Sequence, residues 1–250
     1  TCTLFTNCGC YNTGVGFYAL KVNTTGTSNT GFGRNALTAN TTADDNVAVG
    51  DLAMNNNTTG ATNVAVGAQA LEANTTASDN VAVGYKALEA NTTGGDNIAI
   101  GSQSLLVNTT GGDNVSIGTD AMQSNTTGAD NVAIGKDCML ANTEGVNNVA
   151  MGNISLIANT TGSRNTAIGA ESMNDNTTAD NNTAIGYASL SKNTTGTSNT
   201  ALGWAALEVN TTASNNIAVG HAAARSNTTG ERIIAIGYGA YDASDTEDDN

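Results

Sequence analysis

The chain has 250 residues, with aromatics at 4%, charged residues at 12% and no proline. Its dominant Asn, Thr, Ala and Gly cannot fill a wide globular core, which needs Leu, Ile and Phe. A net charge of −14, with only eight basic residues, argues against nucleic acid or an anionic membrane surface, both of which need clustered Lys and Arg. No apolar run approaches the ~20 residues that span a bilayer, so membrane insertion is not expected. No secretory leader is legible, which says little about location, because a mature secreted chain would have lost it. Weak hydrophobicity would by itself allow disorder; a strict internal period decides otherwise.

The chain opens with Cys2, Cys8 and Cys10, three of its four cysteines, inside a degenerate unit spanning residues 1–22. A disulfide from Cys2 to Cys8 or Cys10 would staple this end, and the alternative is free packed thiols; the spacing lacks a paired CxxC zinc signature. From residue 23 to 241 the chain is regular. The triplet NTT begins at Asn23, Asn40, Asn57, Asn74, Asn91, Asn108 and Asn125, and again at Asn159, Asn176, Asn193, Asn210 and Asn227; Asn142-Thr143-Glu144 holds the missing place, and every interval is 17 residues. With the degenerate first unit this makes 14 units, followed by an acidic tail at 242–250. No linker interrupts them, so a single repeat domain over 1–250 is expected.

We number each unit from the Asn of NTT. Position 11 is Gly in all 14 units and position 7 is Asn in 13, with Ile233 the exception. Positions 9 and 14 are small, and positions 10 and 15 are apolar. Position 12 varies freely, as in Arg34, Tyr85, Trp204 and His221. Positions 7–11 read NVAVG, an alternation of period two that predicts a strand. Gly at 11 predicts a turn that a side chain would obstruct. The ALxx segment at 14–17 predicts a second short strand or a helical turn, and NTTG a return turn. Seventeen residues are too few for a strand, a full helix and a return. The expected fold is therefore all-β: a single parallel β-solenoid of about 14 coils of 17 residues. Stacked at ~4.8 Å, such coils would extend roughly 65–70 Å. Positions 8, 10 and 15 are expected to form the inner apolar columns, with Cys138, in the small position-14 column, a buried free thiol. Asn at position 7 predicts a stacked amide ladder.

NVAVG in a short repeat resembles the head repeats of trimeric autotransporter adhesins, and the fuller unit NTTGxxNxAxGxxAL, over residues 6–241, resembles arrays in bacterial and phage tail-fibre-like proteins. The resemblance implies a β-roll or β-helix, a cell- or virion-surface location, and a stalk or display role.

Several candidate sites follow from residue chemistry. Each NTT is an N-glycosylation sequon, making Asn23, Asn40, Asn57, Asn74, Asn91, Asn108, Asn125, Asn159, Asn176, Asn193, Asn210 and Asn227 candidate glycan sites; the preferred reading is structural, with stacked Asn and Thr side chains satisfying turn backbone groups. Asp79, Asp96, Asp113 and Asp130 fall in one column at position 6, a weak calcium candidate against a plain row of turn-forming carboxylates. The single histidine, His221, has no nucleophile or base placed with it, so no enzyme activity is expected.

The ends differ in charge. Residues 1–43 hold Lys21 and Arg34 and no acid, for a charge of +2, whereas residues 231–250 hold six acids against Arg232, for −5. Phe5, Tyr11, Phe17 and Tyr18 lie near one end, and Tyr238, Tyr241, Asp245 and Asp248 near the other. The expected function is an extracellular homopolymer joined end to end through these residues. The alternatives are a homotrimeric adhesin or tail-fibre-like module, associating laterally through positions 9 and 14 and binding a glycan or surface, and an ice-binding protein using its Thr rows.

Overall fold

A computed structural model describes residues 4–5 and 11–242, with side chains from Tyr11 onward. Its strands are β1 (Leu4–Phe5), β2 (Thr13–Val15), β3 (Thr30–Phe32), β4 (Val47–Val49), β5 (Val64–Val66), β6 (Val81–Val83), β7 (Ile98–Ile100), β8 (Val115–Ile117), β9 (Val132–Ile134), β10 (Val149–Met151), β11 (Thr166–Ile168), β12 (Thr183–Ile185), β13 (Thr200–Leu202), β14 (Ile217–Val219) and β15 (Ile234–Ile236). Among the described residues there is no helix. The protein is an all-β parallel solenoid with one short strand per coil.

The chain divides into two compact units, Thr1–Thr127 and Gly128–Asn250. In the first, β2 to β8 pair in chain order and in parallel, each residue facing its equivalent 17 positions on: Val64 faces Val81 and Ala65 faces Ala82. β1 lies antiparallel against β2, Leu4 opposite Val15 and Phe5 opposite Gly14. In the second unit β9 to β15 repeat the parallel arrangement, for example Ala184 opposite Ala201.

Only positions 8–10 are strand. The ALxx segment forms neither strand nor helix, because positions 13 and 15 adopt left-handed backbone: Leu52 has φ 59° and Met54 φ 49°. Alternate left-handed residues interrupt both regular structures. Their N–H groups still bond between coils, Leu52 donating back to Arg34 at 2.9 Å and Met54 forward to Ala70 at 3.0 Å. The turn segments therefore carry a backbone ladder of their own, joined by Thr58 N–H to the Thr75 carbonyl at 2.9 Å and Thr62 N–H to the Asp44 carbonyl at 3.1 Å. Such pairing keeps the buried main chain satisfied where no sheet exists.

The core corrects one expectation. Position 15 points inward as expected, and Leu37, Met54, Leu71, Leu88, Leu156 and Leu207 are fully buried. Positions 8 and 10 do not. It is Ala at position 9 that is buried, and the strands show a repeated burial pattern of partly exposed, buried, partly or fully exposed. The physical reason is width. Two backbone walls this close accept Ala at 9 and 14 opposite one Leu or Met at 15, and leave no room for two further columns of Val and Ile. Lateral association through positions 9 and 14 is excluded by the same burial.

Position 11 is Gly for two reasons. Its φ lies in the positive region, +141° at Gly67, and a β-carbon there would overlap the carbonyl oxygen of Gly84 in the next coil. Position 4, Gly or Ala, is a second close approach: a β-carbon at Gly60 would meet the Ala77 carbonyl and the Asn57 side chain.

Candidate functional site

Two amide ladders line the interior. At position 7, Asn63 N–H donates to Oδ1 of Asn46 at 3.0 Å, while Asn63 Nδ2 donates to the Ala77 carbonyl at 2.9 Å. The same arrangement recurs at Asn97, Asn148 and Asn199; Asn80 keeps the N–H bond to Asn63 Oδ1 but turns its Nδ2 to the Ser78 carbonyl at 3.0 Å. Ile233 ends this ladder: its N–H still donates to Asn216 Oδ1 at 3.0 Å, but it offers no acceptor onward.

The NTT asparagines form the second ladder. Asn57 Nδ2 donates to Asn40 Oδ1 at 3.0 Å, and Asn74 Nδ2 to Asn57 Oδ1 at 2.9 Å; each also donates to the carbonyl of its own position 4. From Asn40 to Asn227 these side chains are fully buried, and Asn23 is 7% exposed. The candidate glycan sites are thereby corrected. The Nδ2 atoms that would carry sugar face inward and are engaged, so a folded coil has no room for a glycan on any of the twelve. The first Thr of the triplet bonds the next coil, as in Thr58 Oγ1 to the Thr75 carbonyl at 2.9 Å, whereas the second is exposed in coils such as Thr42, Thr59 and Thr76.

Asp79, Asp96 and Asp113 stand exposed in the first unit with φ of 62°, 58° and 58°, and Asp130 has φ 57° in the second. Position 6 is left-handed throughout, and Asp, Asn and Ser recur there because short polar side chains tolerate that backbone. Asp79 accepts from Thr62 Oγ1 at 2.5 Å. Among the described residues no group of three or more His, Cys, Asp or Glu is placed to hold a metal.

Cys138 is fully buried, and its Sγ donates to the Ala150 carbonyl at 3.3 Å. Burial pushes its thiol up to about 12. Cys2, Cys8, Cys10, Asp245, Asp248 and the side chain of Phe5 lie outside the described residues.

The ends present aromatic surface. Tyr11 is 91% exposed; Phe17 and Tyr18 are in ring contact at 3.8 Å, and Lys21 Nζ sits 4.0 Å over the Tyr18 ring. In the second unit, position 12 forms a ladder that sequence reading missed. Tyr187, Trp204, His221 and Tyr238 stack in succession, with ring centroids 6.4, 4.6 and 5.0 Å apart. Four consecutive aromatic rings in one register column were its legible signal. Arg225 lies 5.6 Å over Trp204 and bonds Glu208 at 2.6 Å. Glu171, by hydrogen bonding the Tyr187 hydroxyl, raises that phenol above its ordinary range. Tyr238, the last ring, is 84% exposed, and Tyr241 follows at the left-handed position 15 with φ 57°.

The terminal strands are unlike. β2 is paired on both sides, by β1 and β3. β15 pairs with β14, and no other described residue pairs with its outer edge. The last coil is also the most exposed: Ile234 is 62% and Ile236 69% exposed, against 41% for Ile217 one coil earlier.

Comparison of the chain with protein-family models, with curated proteins and with solved structures finds no match.

Proposed function

We propose that the chain is a structural subunit of an extracellular filament, joined end to end. The outer edge of β15, which no described residue pairs, together with exposed Ile234, Ile236 and Tyr238, carries the reading. An open strand edge with apolar side chains on it is a template for another chain, and strand addition supplies backbone hydrogen bonds as well as buried area. The partner end belongs to the next copy and offers Tyr11, Phe17 and Tyr18, with β1 as its outermost strand. A head-to-tail contact of this kind propagates without closing. Its polarity is set by charge, a +2 end meeting a −5 end, so encounter slows as salt screens the pair.

Deletion of residues 242–250 together with Phe5→Ser and Tyr11→Ser tests the contact. Light scattering and electron microscopy should show open-ended growth for the unaltered chain and none for the variant. Equal growth of both overturns the end-to-end reading.

A further inference from the structure

The rings of Tyr187, Trp204, His221 and Tyr238 lie nearly parallel, at 16°, 15° and 14° in succession, with centroids 6.4, 4.6 and 5.0 Å apart. These separations are those of interacting aromatic pairs. Trp204 is the only tryptophan of the chain, and indole and phenol are the rings of this stack that give up one electron most readily. Stacking alone does not need what surrounds the first two rings. The Tyr187 hydroxyl hydrogen bonds Glu171, and Glu208 adds a second negative charge near it. Arg225 sets its guanidinium 5.6 Å over Trp204 while its Nε holds Glu208 at 2.6 Å. Positive charge therefore faces the indole and negative charge the phenol. A cation beside a ring makes loss of an electron from it costlier, and an anion makes it easier. Salt screens these part-exposed charges, but all three act in one direction, drawing a missing electron from Trp204 to Tyr187. The Glu171 hydrogen bond, with the charges of Glu171 and Glu208, also holds the phenol above its ordinary range. Tyr187 thus keeps its proton until it is oxidised, and an oxidised phenol is a strong acid with the Glu171 carboxylate already in bonding contact.

We propose that Trp204 and Tyr187 form a one-electron redox site whose co-reactant is a diffusing one-electron oxidant, a peroxyl radical by class. Trp204, 42% exposed, gives one electron to the oxidant, which leaves as its anion, and becomes the indole radical cation. Tyr187 returns one electron to Trp204 and passes its hydroxyl proton to Glu171. The indole is restored, Glu171 is protonated, and the unpaired electron rests on Tyr187 as a neutral tyrosyl radical. His221, stacked on Trp204 from the following coil at 4.6 Å, shields that face of the indole from water while it is charged. The pair lies within one chain and needs no second copy, so this activity and the end contact can fail independently.

Flash photolysis of the full chain tests it, with photogenerated tris(bipyridine)ruthenium(III) as the oxidant. The absorption band of the indole radical should decay as that of the tyrosyl radical rises, at one shared rate. Tyr187→Phe keeps a ring in the stack but removes the phenol, and should slow the indole decay by about tenfold or more. Tyr238→Phe, at the far end of the stack, should leave that decay unchanged. Glu171→Gln can still hydrogen bond the phenol but cannot take its proton, and should slow the tyrosyl rise several-fold. Far-ultraviolet circular dichroism should be the same for all four chains. An indole decay that Tyr187→Phe leaves unchanged overturns the proposal. So does a decay that Tyr238→Phe slows as much as Tyr187→Phe, or a tyrosyl rise that Glu171→Gln leaves unchanged.

Discussion

Asn57 Nδ2 donates to Oδ1 of Asn40, 17 residues earlier and 3.0 Å away, and the same nitrogen donates to the Gly60 carbonyl at 2.9 Å. In turn Asn57 Oδ1 accepts from Asn74 at 2.9 Å. One side chain thus ties three successive coils together. Asn57→Ala would remove the donor to Asn40 Oδ1, while the Gly60 carbonyl still accepts from Asn46 Nδ2 and Asn74 Nδ2 still donates to the Ala77 carbonyl; one orphaned buried group costs about 1–3 kcal/mol. A loss of about 1–3 kcal/mol is expected in urea unfolding. Thr59→Ala, two residues on and exposed, should stay within about 0.5 kcal/mol. Equal midpoints for the two variants would contradict the ladder.

Gly67→Val should be far worse than Ala68→Val. Gly67 has φ +141° and no space for a β-carbon beside the Gly84 carbonyl, whereas Ala68 occupies the variable position 12. Gly118, with φ +144°, and Thr119 form the same pair. Thermal unfolding should show a broad or much lowered transition for the glycine variant and a near-native one for the other.

Ile154 is a β-branched residue at φ 50°, in the half-exposed position 13. Left-handed backbone costs an ordinary side chain about 1–2 kcal/mol, and Asn tolerates it better. Ile154→Asn should therefore stabilise the protein by about 1 kcal/mol, read as a raised melting temperature. A lowered one would mean that packing of the Ile154 side chain outweighs the backbone term.

The buried Cys138 thiol makes stability pH-dependent at alkaline pH. Its folded value is raised from 9.0 to about 12 by burial. Between those values the unfolded chain binds fewer protons than the folded one, so stability falls as pH rises from 9 toward 12 and is unaffected below 9. Cys138→Ala, which installs the commonest occupant of position 14, should remove that part of the slope. The difference in urea midpoint between the two chains at pH 8 and pH 11 measures it. A thiol reagent should label native Cys138 only as fast as the coil opens.

Much of this architecture is legible in the residues themselves. The 17-residue period, Gly at 11 and Asn at 7 specify identical coils stacked in register, because only a repeated environment retains the same residue types so strictly. The buried amide ladder at position 7 and the buried Cys138 follow from that register. What the alternation in NVAVG leaves undetermined is which side of the strand faces in. Period two separates Val64 and Val66 from Ala65, but a strand apolar on both faces reads alike either way, and the larger side chains suggest the wrong one. Tertiary packing decides it. The opposing wall, built from left-handed residues at 13 and 15, approaches so closely that Ala65 fits beneath it and Val64 and Val66 do not. That single inversion turns the residues expected to be the core into the protein's outward apolar face. The antiparallel β1 strand and the aromatic ladder from Tyr187 to Tyr238 are likewise products of stacking, since each joins residues brought side by side only once the coils are formed.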